Sequence, residues 1–142
     1  MKVYLAGTIT GDKATHEWRH NVGMRLLQAG IASLSPLRHM DVRDISGDGL
    51  RQEMSASLFV QRDEMDIKSC DVVLLNTLGV ERLKRQSIGT WAEMALAHVY
   101  GKALIIVADQ VSVIEHPFPV VWATLVVATL REAVEAIKFL RP

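Results

Sequence analysis

Short apolar runs that alternate with helical periodicity constrain this 142-residue chain more than any other feature of it. Lys2 to Ala6 is such a run, ending at Gly7, and it suits a central parallel strand buried on both faces. After the Gly7 to Gly11 loop, Trp18, Val22, Leu26 and Ala29 recur at helical spacing. With Gly30 as a stop, they predict a first helix from about Thr15 to Ala29. Ile31 to Leu34 reads as a second strand, closed by Ser35-Pro36 because proline cannot donate to a ladder and restricts the residue before it. From Leu37 to Glu53 the pattern is lost, and this polar stretch with its two glycines reads as a long loop. Met54, Leu58 and Met65 suggest a second helix through about Lys68, followed by the strand Asp71 to Leu75 and the loop Asn76 to Gln86. A third helix is expected over Ile88 to Tyr100, ended by Gly101, and then the strand Ala103 to Val107. A last strand lies within Ala123 to Val127, and Thr129-Leu130-Arg131-Glu132 matches a capping box opening a final helix. The alternation implies a parallel sheet with right-handed crossovers.

Composition narrows the function. At 15.8 kDa and 49% hydrophobic residues, residues 1–142 make one domain large enough for a proper core. Sixteen basic residues balance sixteen acidic ones, so no overall field exists to hold a nucleic-acid polymer. Cys70 alone cannot form an intramolecular disulfide, and Met1-Lys2-Val3-Tyr4 leads into a strand without the apolar core of a signal peptide, so a cytoplasmic protein is expected. The longest apolar stretch, Pro117 to Leu130, is interrupted by Thr124 and Thr129 and is shorter than the roughly 20 residues of a membrane span. Among the histidines only His16 and His20 are closely spaced, and they lack the glutamate of a zinc-protease helix, so neither a metal nor another cofactor is expected.

The chemistry concentrates in Ser87-Ile88-Gly89-Thr90-Trp91-Ala92-Glu93. A glycine turn that leaves a buried strand and enters a helix puts backbone N–H groups, a hydroxyl and a carboxylate at the carboxyl edge of the sheet, where open α/β folds bind ligands. Tyr4 to Thr10 and Asp63 converge on the same edge. Two carboxylates facing one cleft are what glycosidic-bond cleavage requires, one attacking the anomeric carbon and the other protonating the leaving group.

Lys2-Val3-Tyr4-Leu5-Ala6-Gly7, Asp63 with Ile67 and Asp71 after it, and Ser87-Ile88-Gly89-Thr90-x-x-Glu93 resemble the nucleoside 2-deoxyribosyltransferase superfamily. That superfamily includes the nucleoside 5'-monophosphate N-glycosidases. Trp18-Arg19 and Pro36-Leu37-Arg38 fit the same pattern, which covers Lys2 to about Val107. The resemblance implies a flavodoxin-like or Rossmann-like three-layer α/β sandwich with a mostly parallel five-stranded sheet. It implies Glu93 as the nucleophile, Asp63 as the acid that protonates the departing base, and Tyr4 as the residue that orients the nucleophile. Gly7, Thr8 and Ile9 are expected to let the backbone approach the sugar or phosphate. Ser87, Gly89 and Thr90 are expected at the substrate, Trp91 at the base pocket, and Arg19 and Arg38 at a phosphate. In many transferases acting on free nucleosides the position of Ser87 carries a carboxylate, whereas the monophosphate hydrolases carry a phosphate-contacting serine. Members are commonly homo-oligomers, and the apolar segment Val120 to Val127 with Trp122 suits a two-fold interface or a covered sheet edge.

Two fates remain open for the glycosyl intermediate. Attack by a second nucleobase makes a transferase, and attack by water makes a hydrolase. A phosphoribohydrolase of the cytokinin-activating kind shares Gly-Thr-x-x-Glu but places Pro-Gly-Gly before it, where this chain has Arg85-Gln86-Ser87-Ile88. A nucleotide-binding sensor without catalysis is the alternative of a different class.

Overall fold

The computed structural model describes residues 1–9, 16–38, 55–78 and 87–142, with the backbone alone of 45–46 and 49–50. The elements run β1 (Lys2–Gly7), α1 (Glu17–Gln28), β2 (Ala32–Leu34), β3 (Ile45–Ser46), β4 (Gly49–Leu50), α2 (Ala56–Ser69), β5 (Val72–Asn76) and α3 (Ile88–Val99). They continue with β6 (Ala103–Val107), α4 (Val111–Ile114), α5 (Pro117–Trp122), β7 (Leu125–Val127) and α6 (Leu130–Phe139). Five strands form one sheet in the order β2-β1-β5-β6-β7. Every pairing in it is parallel, where the sequence promised a mostly parallel sheet.

Strand alternation sorts the core into two halves. Val3 and Leu5 of β1, Val72 and Leu74 of β5, and Ile105 and Val107 of β6 pack on Val22 and Leu26 of α1 and on Val134 and Ile137 of α6. The intervening residues Tyr4 and Ala6, Val73 and Leu75, and Leu104 and Ile106 face Ile67 of α2 and Met94 and Ala97 of α3. Successive side chains on a strand point to opposite faces, so one uninterrupted apolar run serves both helical layers. The result is a three-layer α/β sandwich. Its register brings Gly7 opposite Asn76 and Asn76 opposite Val107, so the carboxyl ends of the three central strands lie level. The chain steps outward to β2 on one side of β1 and to β5 on the other, and the crevice at that reversal is where such sheets accept ligands.

The expected elements are present with ends shifted by a residue or two, and Thr129 and Glu132 cap α6 reciprocally as the tetrapeptide predicts. Thr15, expected to open the first helix, and Met54, expected in the second, lie outside the described residues. Ser55 caps α2 through a bond accepted from the Leu58 N–H. Two differences stand out. The patternless stretch after Leu37 contains an antiparallel pair, Ile45 opposite Leu50 and Ser46 opposite Gly49, too short for any alternation to be visible. The segment from His116, for which the sequence pattern gives no helix, opens α5, with the His116 ring accepting from the Phe118 N–H and proline in the first turn. Helices α4 and α5, of 4 and 6 residues, are shorter than two turns, so their periodicity cannot be read. No helix among the described residues is long and apolar enough to cross a membrane.

Candidate active site

Tyr4 sits in the middle of β1 on the face that meets α3, and it is fully buried. Its hydroxyl donates a 2.7 Å hydrogen bond to Oε1 of Glu93, 89 residues away in sequence. Glu93 is there because Thr90, Glu93, Met94 and Ala97 make the buried stripe of α3, spaced as a helix facing a sheet must be. The carboxylate on that stripe is 9% exposed, a burial that glutamate rarely adopts without a partner. Asp63 reaches the same place from α2 and is 7% exposed. Both carboxylates line a cleft of about 250 Å³ at the carboxyl edge of the sheet. Ser87 and Thr90 complete its polar side, and Ile9, Phe59, Val60 and Leu96 form an apolar wall.

Burial governs the electrostatics. It pushes Glu93 up to about 7, aided by the charge of Asp63 and opposed by the Tyr4 hydroxyl, Arg19 and the Gly7 N–H. It pushes Asp63 up to about 6, with Arg62, Tyr4 and Arg38 opposing and Asp66 adding. Tyr4 is driven far above the ordinary phenol range by burial and by the charges of Glu93 and Asp63, so it stays a donor. Two coupled carboxyls with apparent values of about 6 and 7 hold one proton between them near neutrality. A nucleophile and an acid need that proton on Asp63, whereas the higher value of Glu93 places more of it there, so the reactive arrangement is the minor form of the singly protonated pair. Asp63 Oδ1 is buried without a hydrogen-bond partner, and so is the Thr8 hydroxyl. Asp63 Oδ1 has only a long 3.9 Å ion pair with Arg62 Nε and lines the cleft, so it is available to a ligand, whereas Thr8 is not among the lining residues.

The other expected residues separate into those in the cleft and those elsewhere. Gly7, Ile9, Ser87, Gly89 and Thr90 line it. A Cβ on Gly7 would meet the Asn76 carbonyl oxygen at 3.0 Å and the Trp18 ring at 3.1 Å, so this close approach requires glycine. A Cβ on Gly89 would meet nothing nearer than Ser87 Oγ at 3.9 Å, which leaves the mouth of the helix open. Ser87 is the N-cap of α3, and its Oγ accepts from the Thr90 N–H at 3.3 Å and from the Thr90 hydroxyl at 2.8 Å.

Three expected residues are placed outside the lining of the cleft. Arg19 does not line the cleft: its Nε donates to the Leu5 carbonyl at 3.2 Å and its Nη2 to the Gly7 carbonyl at 2.6 Å, beneath the end of β1. Arg38 forks onto both carboxylate oxygens of Asp66, with Nη2 donating to Oδ1 at 2.8 Å. Trp91 lines a second cavity of about 360 Å³ with Met94, Val113 and Phe118 instead of the cleft that holds Glu93. Two residues along a helix turn through roughly 200°, which carries Trp91 to the far side of α3.

Arg82, Lys84 and Arg85, the other cations near Ser87, lie outside the described residues. Cys70 is buried in the core, its Sγ donating to the Ile67 carbonyl. Among the described residues no cluster of three or more metal-ligating side chains occurs. Sequence reading missed Phe59 and Val60. The signal was available: Phe59 precedes Asp63 by four residues, one turn of α2, and so shares its face.

A family model described as Nucleoside 2-deoxyribosyltransferase matches residues 3–132. The chain belongs to this family. The match runs from β1 into α6 and so takes in all five strands of the sheet. No curated protein matches the sequence. Among solved structures, a CMP N-glycosidase of Clostridium botulinum superposes with a TM-score of 0.63 at 16% identity, over 98% of this chain and 99% of that one. A protein of Enterococcus faecalis V583 gives 0.73 at 14% identity, over 98% of each chain. A 2-desoxiribosyltransferase of Leishmania mexicana gives 0.56 at 20% identity, over 77% of this chain and 65% of that one. At these identities the likeness is one of fold. The family points to an enzyme of the deoxyribosyltransferase and N-glycosidase kind.

Proposed function

We propose that this protein cleaves the N-glycosidic bond of a nucleoside 5'-monophosphate through a covalent intermediate on Glu93. The observation that carries the reading is the buried Tyr4 to Glu93 hydrogen bond with Asp63 across the same cleft. The Glu93 carboxylate attacks C1' of the sugar as the bond from C1' to the base nitrogen breaks. Asp63 delivers its proton to the departing base, which would otherwise leave as a poorly stabilised anion. Water or a second base then attacks C1', the C1' to Glu93 ester bond breaks, and Asp63 takes the incoming nucleophile's proton. Tyr4 withdraws charge from the attacking carboxylate and fixes its rotamer. The planar base lies along Ile9, Phe59, Val60 and Leu96, an apolar wall suited to an aromatic ring.

Ser87 selects the substrate class. A hydroxyl at the head of a 12-residue helix, beside the open space around Gly89, favours an anion such as a 5'-phosphate. The family model's description favours the transferase fate, with a free nucleobase as acceptor. The test is release of free base from CMP, dCMP, dTMP, dAMP and dGMP and from the matching nucleosides, with and without a second base. Release from monophosphates without an acceptor supports the hydrolase, and exchange only with an acceptor supports the transferase. Binding of monophosphates with no product from the native protein would leave a sensor and refute catalysis.

A further inference from the structure

Arg19 is 4% exposed, which is unusual for an arginine, and it is withheld from the cleft. Its guanidinium spans two carbonyl oxygens at the carboxyl end of β1, those of Leu5 and Gly7, and its Cζ lies 4.6 Å from the centre of the Trp18 ring. His16 Nδ1 is 3.5 Å from Nη1. Carbonyls and a ring hold the group in place but do not neutralise it, and a buried cation needs a counter-charge. Among the described residues the salt bridges pair Arg38 with Asp66, Arg62 with Asp63 and Lys138 with Glu135, and none uses Arg19. The groups that face it electrostatically are Glu93 of α3, Tyr4 of β1 and Asp63 of α2.

We propose that Arg19 is a positioning residue for Glu93: from beneath Gly7 it supplies a fixed positive charge that favours the ionised carboxylate, and it pins the peptide that floors the cleft. This rests on the reading of Glu93 as nucleophile. Gly7 is the link between the two. Its carbonyl accepts from Arg19, and Gly7 lines the same cleft as Glu93, so the cation is anchored to a residue of the cleft wall. The remaining ionisable neighbours act against ionisation or are engaged elsewhere. Asp63 repels the Glu93 charge, Asp66 is forked by Arg38, and Glu64 accepts from Tyr100. Burial lowers Arg19 to about 10, opposed by Glu93, and it therefore stays charged at neutral pH.

The experiment is a carboxyl-carbon NMR titration of the full chain labelled at glutamate, with Glu93 assigned by its loss in Glu93→Gln. It compares the native protein with Arg19→Gln, which keeps a donor for Gly7 and loses the charge, and Arg19→Lys, which keeps the charge and loses the fork. Arg19→Gln should titrate Glu93 about one pH unit higher than the native protein, and Arg19→Lys close to it. The acidic limb of kcat/KM for base release should move with the carboxyl, with kcat falling more than KM rises. Equal shifts in both variants, or no shift in either, would overturn the proposal and leave Arg19 a structural strut. If Arg19→Gln does not fold, a Glu93 titration raised as far in Arg19→Lys as one unit would overturn it equally. The titration needs no turnover, so absence of base release from the native protein would refute the glycosidase reading separately.

Discussion

At the scale of the residue, the site is a compromise between burial and charge. Tyr4→Phe removes one hydrogen bond to a charged group and leaves the ring's packing intact. Such a bond contributes about 1.5–3 kcal/mol, so kcat should fall about 10- to 100-fold with little change in melting temperature. The coupled carboxyls predict a bell-shaped kcat/KM with its maximum between the apparent values of about 6 and 7, falling on the acid side as both are protonated and on the alkaline side as both ionise. Glu93 also carries a stability cost. Its folded value is raised from 4.5 to about 7, so the stability present below pH 4.5 is lost as pH rises through 7. At about 1.4 kcal/mol per unit this is roughly 3 kcal/mol. Glu93→Gln should therefore abolish turnover yet raise the denaturant midpoint at pH 8, with the gain vanishing near pH 4. An unchanged midpoint at pH 8 would mean that the carboxylate is better solvated than its burial indicates.

At the scale of the element, helix termini perform two different tasks. Thr129 and Glu132 close the start of α6 with reciprocal bonds, far from the cleft. Thr129→Ala should cost about 1 kcal/mol in denaturant unfolding and leave kcat unchanged. Ser87 caps α3 in the same way but also lines the cleft. Ser87→Ala should cost a similar amount and, in addition, raise KM for a nucleoside monophosphate more than for the free nucleoside. Equal effects on both substrates would reduce Ser87 to a cap. The same elements show what sequence can carry. Runs such as Val72 to Leu75 and Ala103 to Val107 are legible because burial on both faces leaves no polar interruption, and α6 because its capping tetrapeptide is local. Helices α4 and α5 and the β3–β4 pair are not, because a period needs more residues than they contain.

At the scale of the molecule, the sheet joins residues that the sequence keeps far apart. Tyr4, Asp63 and Glu93 are named by the resemblance that their motifs carry, Tyr4 within the β1 run and Asp63 and Glu93 on helices. Their meeting depends on β1 lying beside β5 with level carboxyl ends, which the alternation of elements implies but does not measure. Arg19, Arg38 and Trp91 lie outside the cleft's lining for one reason: residue type suggests a phosphate or a base, but their directions follow contacts invisible along the chain, namely two strand-end carbonyls, a carboxylate on α2 and a second cavity beside α3. Which residues are present is readable in the sequence, and where each side chain points is not. The most direct test is chromatographic detection of free base from nucleoside 5'-monophosphates, run with the native protein and with Glu93→Ala at concentrations where both bind substrate. The account predicts base release by the native protein and none by the variant, whereas undiminished release by Glu93→Ala would contradict it.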